Sequence, residues 1–367
     1  MITRKYELAY QPKNRLEEHF FTEDSIFFDI ETTGFSPIKN NLYLIGCGYR
    51  KESSFFIIQF FAEAKEEEPD ILHAFLTLLS DFHTILSFNG IGFDLPFLKT
   101  KCRLLEIRES FDSFSYIDIY KSVIKYKKLL PLENYKQKTL EAFLGIKRDD
   151  LENGGELIPL YEDYAGGNHN TEILSTLLLH NHDDVLGMLP LIQLLAYEEF
   201  FSGNYTVTDI KEHDYTDFSG NSAKELLFTG TIQYALPNRI SAKSELAFHL
   251  AEENHFSLAV SLFSGTLKYF YPDYKNYYYL PKEDMAIHKS VASFVEKEFR
   301  TQAKAANCYT KKEGLFLPEI KEIFSPVFKN DYKDKLLYFL YEPDTSFKDL
   351  ADCISYVNHL CTTFIHE

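Results

Sequence analysis

The sequence predicts an α/β protein, a mixed five-stranded sheet flanked by helices, followed by a β-rich α+β second domain. Three observations carry that reading. Apolar runs at 25–31, 42–50 and 54–62 follow one another across short turns bearing Gly34, Pro37, Asn40, Asn41, Lys51 and Glu52, as antiparallel strands do. Two further short runs, 84–88 and 116–119, alternate with helical patterns, the mark of parallel strand–helix units. From about 203 the texture changes to period-two alternation over 228–236, 244–251 and 255–271, where Phe256, Leu258, Val260 and Leu262 share one face.

In chain order, a polar N-terminal arm precedes the first strand. A helix is expected over 67–82, with Ile71, Phe75, Leu78 and Leu79 at helical spacing. A second opens at Phe93-Asp94-Leu95, and several more fill 120–199. Domain boundaries are set at 1–200, a linker at 201–222 where Asp, Gly, Asn and Ser cluster, and an accessory domain of unknown role at 223–367. Within that last part, helices are expected near 282–304, 331–341 and 345–363.

Composition removes several classes of function. No run is long enough to span a bilayer, so no membrane partner is expected. The opening residues lead into polar sequence, and the five cysteines form no C-x-x-C pair, which fits reduced thiols of a cytoplasmic protein better than a zinc site or disulfide frame. The net charge of −17 opposes a nucleic-acid partner as a total, but residues 99–148 carry 12 Lys/Arg against 6 Asp/Glu. Residues 268–312 hold 9 against 5 and include six tyrosines within 269–279, for which packing on neighbouring strands outweighs base stacking.

The chemistry centres on Phe28-Asp29-Ile30-Glu31-Thr32-Thr33-Gly34. Strand side chains alternate faces, so Asp29 and Glu31 project together. Two carboxylates held that close repel unless a cation lies between them, and hard divalent ions such as Mg²⁺ or Mn²⁺ prefer such oxygens. Asp94 stands where the fourth strand hands over to its helix, at the carboxyl end where α/β ligand sites gather. On a long amphipathic helix, His180 and Asp184 are four apart and share a face. His182 and Asp183 are rivals for those places. Asp183 lies about 100° round the helix from Asp184, and Asp184 is preferred because it keeps His180 on its face.

Together these segments resemble the three motifs of the DEDD superfamily of RNase H-like 3′–5′ exonucleases. The segment from Lys138-Thr139-Leu140-Glu141 to Arg148, with Glu156-Leu157-Ile158-Pro159, is further similar to the YprB-like group of bacterial exonucleases. The resemblance covers roughly residues 25–195. It implies that Asp29, Glu31, Asp94 and Asp184 bind two divalent cations, Mg or Mn, lying roughly 3.5–4 Å apart, one activating water and one stabilising the leaving 3′ oxygen. It implies that His180 orients or deprotonates the water. The histidine branch of that superfamily places its His one residue farther from the Asp, and the spacing here is that of the tyrosine branch. Thr32 and Thr33 would touch the terminal nucleotide, with Asn89 and Phe93 lining the cleft. Read from its residues alone, Lys125-Tyr126-Lys127-Lys128 fits two roles equally: Lys125 and Lys127 gripping phosphates with Tyr126 stacking a base, or a solvated helix end. The activity expected is 3′–5′ hydrolysis of single-stranded DNA or RNA. The rivals are a catalytically silent nucleic-acid-binding scaffold and a structure-specific endonuclease using the same ions.

Overall fold

Six strands form the first sheet, in the order β1-β4-β3-β2-β5-β6. They are β1 (Ile2–Ala9), β2 (Ser25–Thr32), β3 (Leu42–Lys51), β4 (Ser54–Phe61), β5 (Thr84–Ser87) and β6 (Ser115–Asp118). The first four pair antiparallel, and β5 and β6 run parallel to β2. The structure is a computed structural model that describes residues 1–147, 154–216, 220 and 222–366.

The sheet thus has one strand more than the sequence suggests. Residues 2–9, expected as a polar arm, form β1 and pair with β4 in register from Ile2↔Phe61 to Ala9↔Ser54. Seven of its eight residues are exposed, so almost no apolar signal marks it. Backbone pairing to an otherwise open edge holds it.

Around this sheet lie α1 (Arg15–Phe20), α2 (Glu68–Leu79), α3 (Asp94–Leu104), α4 (Ile119–Ile124), α5 (Gln137–Phe143), α6 (Gly154–Ala165), α7 (Thr171–Leu191) and α8 (Leu195–Phe201). Strand alternation splits the apolar residues between two layers. Ile26, Phe28 and Ile30 of β2 pack with Ile71, Phe75 and Leu79 of α2 and with Phe97 and Leu98 of α3. On the opposite face Tyr43 and Phe61 meet Tyr161 of α6 and Leu177 and Leu178 of α7, with the Tyr43 and Tyr161 rings stacked 4.1 Å apart. Asp29 and Glu31, being odd-numbered, belong to the face that α7 covers.

Contacts divide the chain into two units, Met1–Glu199 with Leu236–Asn238, and Phe200–Ala235 with Arg239–Glu367. In the second, β7 (Tyr205–Thr216), β8 (Ser222–Lys243), β9 (Ala247–Phe270), β13 (Tyr309–Glu319) and β14 (Leu337–Tyr341) make a sheet ordered β14-β13-β9-β8-β7. A smaller sheet holds β10 (Tyr277–Leu280), β11 (Met285–His288) and β12 (Thr301–Gln302), next to a single helical turn, α9 (Lys289–Ala292). Helix α10 (Leu350–His366) closes the chain.

Three expectations for this half change. Where a linker was expected over 201–222, residues 205–216 form β7 and pair with β8. The helix expected over 282–304 is mostly strand and turn, because Asp284, at φ 53°, turns the chain back so that β11 pairs with β10. The helix expected over 331–341 gives way to β14, whose all-apolar run carries no period that separates strand from helix, and which pairs with β13. Of the tyrosines of 269–279, Tyr271 stacks on Tyr277 at 4.4 Å and meets Tyr269 edge-on at 5.2 Å.

No helix among the described residues is long and apolar enough to cross a membrane.

Candidate metal centre

Strand β2 carries Asp29 and Glu31 to the end of the sheet, and a register shift between Glu31 and Thr32 ends its regular pairing with β3 there. Asp94 arrives from the other direction as the first residue of α3, and its Oδ1 accepts the Ile30 N–H at 3.2 Å. His180 and Asp184 descend from α7. The His180 Nε2 lies 3.3 Å from Asp184 Oδ2 and 3.5 Å from Glu31 Oε1. Glu31, His180 and Asp184 each offer a ligand atom, all within 4.8 Å of one another.

Electrostatics places Asp29 and Asp94 in the same group. Burial pushes the Asp29 carboxyl well above the usual range, and the charges of Asp184, Asp94 and Glu31 push it further, against an opposing hydrogen bond from Asn181. Asp94 is pushed up to about 7, first by burial and then by Asp118 and Asp184, while its bond from Ile30 N–H works the other way. Four acids from three separate stretches therefore feel one another's charge. The donor set, carboxylate oxygens with one imidazole and no thiol, fits a hard divalent cation, which would relieve the repulsion that raises these groups.

The rivals on α7 point elsewhere. His182 packs edge-on against Tyr6 at 4.9 Å and its Nδ1 lies 3.2 Å from Asp183 Oδ1. Asp183 lines a separate cavity of about 320 Å³ with Lys13, Glu141, Ile146 and Leu186.

Among the residues expected to contact a nucleotide, Thr32 donates from Oγ1 to the Gly34 carbonyl at 3.0 Å. The Thr33 hydroxyl accepts the Asn41 N–H at 2.9 Å, so both threonines shape the turn. Asn89 sits at φ 61°, in the left-handed region. Phe93 is half-buried against the core and meets the ring of Phe35 edge-on at 5.9 Å, while Phe35 itself is 91% exposed. Lys125 is ion-paired with Glu198, and Lys127 is exposed. Tyr126 does not fit the stacking role expected for it. It lies in the turn after α4 and is buried against Tyr197. Arg148 lies outside the described residues.

Several residues escaped the sequence reading. Asp118 is buried at the end of β6 and accepts N–H groups from Asn89 at 3.0 Å, Ile91 at 3.1 Å and Lys121 at 3.1 Å. It thereby holds the Asn89-Gly90 turn that leads to Asp94. Gln137 of α5 donates to the Asp184 carbonyl at 2.7 Å and to Glu141 Oε1 at 2.9 Å. Asn181 and Gln59 are fully buried beside Asp29. An Asp-x-Glu pattern signals itself in sequence, whereas these partners are set by register.

A mixed sheet of this order, with acids gathered at the end of its central strand, defines an RNase H-like domain. Residues 26–196 match the family model RNase_H_2, described as RNase_H superfamily. Among solved structures, similarity is found to the family B DNA polymerase of the archaeon Pyrobaculum calidifontis, at 15% identity and a TM-score of 0.36, over 69% of this chain and 35% of the polymerase. It is also found to E. coli exonuclease I in complex with a dT13 oligonucleotide, at 12% identity and a TM-score of 0.33, over 62% of this chain and 55% of the other. The chain thus spans about a third of the polymerase and about half of exonuclease I. No curated protein matches it.

Proposed function

We propose that the protein is a metal-dependent nuclease that removes nucleotides from the 3′ end of single-stranded DNA or RNA. The observation that carries this is Asp29, a partly buried carboxylate crowded by Asp184, Asp94 and Glu31, an arrangement that is costly without a cation.

Asp29, Glu31, Asp94 and Asp184 would hold two divalent cations, Mg or Mn. Ions bound there would supply an activated water and neutralise charge on the leaving oxygen. The chain's own groups do the rest. His180, with Nε2 facing Glu31 and Asp184, takes the proton of the attacking water. The turn at Thr32-Thr33 and the Asn89 loop, fixed by Asp118, bound the place where a terminal nucleotide sits. Phe93, with Phe35 beside it, offers an aromatic edge to its base. Lys127, exposed to solvent, offers a cation for a phosphate, whereas Lys125 is engaged by Glu198.

The test is a panel of single- and double-stranded DNA and RNA with either end blocked, run with Mn²⁺ or EDTA. The expected result is a ladder shortened from an unblocked 3′ end, abolished by EDTA. Cleavage of substrates blocked at both ends would identify an endonuclease. Binding without cleavage would identify a silent scaffold.

A further inference from the structure

Three strands contribute one residue each to a row across the sheet. Asp29 of β2 stands opposite Gly46 of β3, and Gly46 stands opposite Gln59 of β4. Cross-strand partners project to the same face, here the face under α7. The middle position has no side chain, and the amide of Asn181 fills the gap. A Cβ on Gly46 would lie 2.0 Å from Asn181 Oδ1 and 2.7 Å from its Cγ, a separation that real atoms do not tolerate.

The hydrogen bonds of this plug run in one direction. Gln59 Nε2 donates to the Leu178 carbonyl at 2.8 Å and to Asn181 Oδ1 at 2.9 Å. A main-chain carbonyl can only accept, so the nitrogen end of Gln59 must face α7. That orientation obliges Asn181 to present its oxygen to Gln59. Its nitrogen is then left facing Asp29, donating to Oδ2 at 3.0 Å and to the Asp29 carbonyl at 3.4 Å. Gln59 and Asn181 are fully buried, so water does not compete for the bonds that Gln59 makes.

We infer that Asn181 is a positioning residue for the metal centre, one whose amide, oriented by Gln59 and admitted by Gly46, holds one oxygen of Asp29 so that the other is presented to a cation. The inference rests on the metal-dependent reading above. It also accounts for the neighbouring positions on α7. His180 and Asp184 are one turn apart and face the ion site, while Asn181, about 100° round from His180, faces the sheet.

The experiment measures Mn²⁺ binding to the full chain by titration calorimetry, with no substrate and no turnover. Outer partners of metal ligands typically contribute about 10–100-fold in affinity. Asn181→Ala is expected to weaken binding by that amount, and Gly46→Ala, which must displace the amide, by a similar amount. The double variant Gly46→Ala/Asn181→Ala is expected to be no worse than Asn181→Ala alone, since the added methyl then meets empty space. Gln59→Leu, which releases the amide to flip, is a second variant with the same expected loss should Asn181→Ala not fold. A purely structural plug would lower thermal stability while leaving Mn²⁺ affinity unchanged. Affinity within about twofold of wild type in folded Asn181→Ala or Gln59→Leu, or full additivity in the double variant, overturns the inference and leaves the nuclease reading intact. Absence of Mn²⁺ binding in the wild-type protein overturns both.

Discussion

The two units treat buried polar groups in opposite ways. In the first, Asp29, Glu31, Asp94, His180 and Asp184 come from β2, α3 and α7 to one place, and most of them carry the same charge. In the second, buried ionisable groups are settled locally. Glu319 accepts the N–H groups of Ile323 at 3.1 Å and Phe324 at 3.3 Å, and His359 Nε2 accepts that of Ile320 at 2.8 Å. His249 has no hydrogen-bond partner among the described residues and sits between the rings of Phe200, Phe201 and Phe364. A fold built for stability alone neutralises or pairs what it buries. Like charges brought together against that tendency set the first unit apart and single out its acid cluster for the tests that follow.

The largest expected effect breaks the comparison outright if it fails. Asp184→Ala should lower Mn²⁺-dependent trimming of a 3′-labelled oligonucleotide by at least about 10²–10³-fold, the scale on which groups that stabilise developing charge act. Unchanged activity would leave the acid cluster without a part in the chemistry.

The next two effects set the units against each other in one pH window. Asp94, at about 7 in the folded protein against 3.8 ordinarily, keeps a proton that the unfolded chain has released between those values. Its contribution to stability without metal is therefore complete below about pH 4 and is lost as pH rises to 7. His249 slopes the other way. Burial lowers it to about 4 from 6.5, so the unfolded chain takes up a proton first as pH falls. Its stabilisation is complete above about pH 6.5 and fades towards pH 4, by about 3 kcal/mol. Hydrogen exchange in EDTA between pH 4 and 7 should show protection falling in β2 and α3 while rising in β9. Added Mn²⁺ should flatten the first trend, and His249→Phe the second. Parallel slopes in both units would remove the distinction.

The smallest effect sharpens the view of the second unit. Asp284 accepts from Tyr279 at 2.6 Å, from Tyr309 and from Lys311, and these bonds hold its carboxyl well below the usual range. Tyr279→Phe should cost only about 1 kcal/mol in urea unfolding, because two partners remain. A much larger loss would mean that this node, too, depends on each of its members.

How much of this could be read from sequence differs element by element. The strands at 25–31, 42–50 and 54–62 were visible because each has an apolar face to bury. Strand β1 was not, because Arg4, Lys5 and Glu7 interrupt its few apolar residues and its pairing with β4 runs through the main chain. In the second unit, 282–304 and 331–341 looked helical because short apolar runs fit either period, and only their strand partners decided. Tyr126 offers the same lesson in a single residue. Between two lysines it resembled a stacking platform, yet in the turn after α4 it packs into the core.

By itself, the sequence determined which acids share a face, since the periods of strand and helix act over a few residues and are indifferent to the rest of the molecule. That covers Asp29 with Glu31 and His180 with Asp184. Only the tertiary structure decided that Gln59, Gly46 and Asp29 stand in one row, that Asn181 drops its amide into the gap, and that Asp118 steadies the loop before Asp94. Strand register joins residues through backbone hydrogen bonds that any side chain permits, so such partnerships leave no mark on the local pattern and exist only once the sheet has closed.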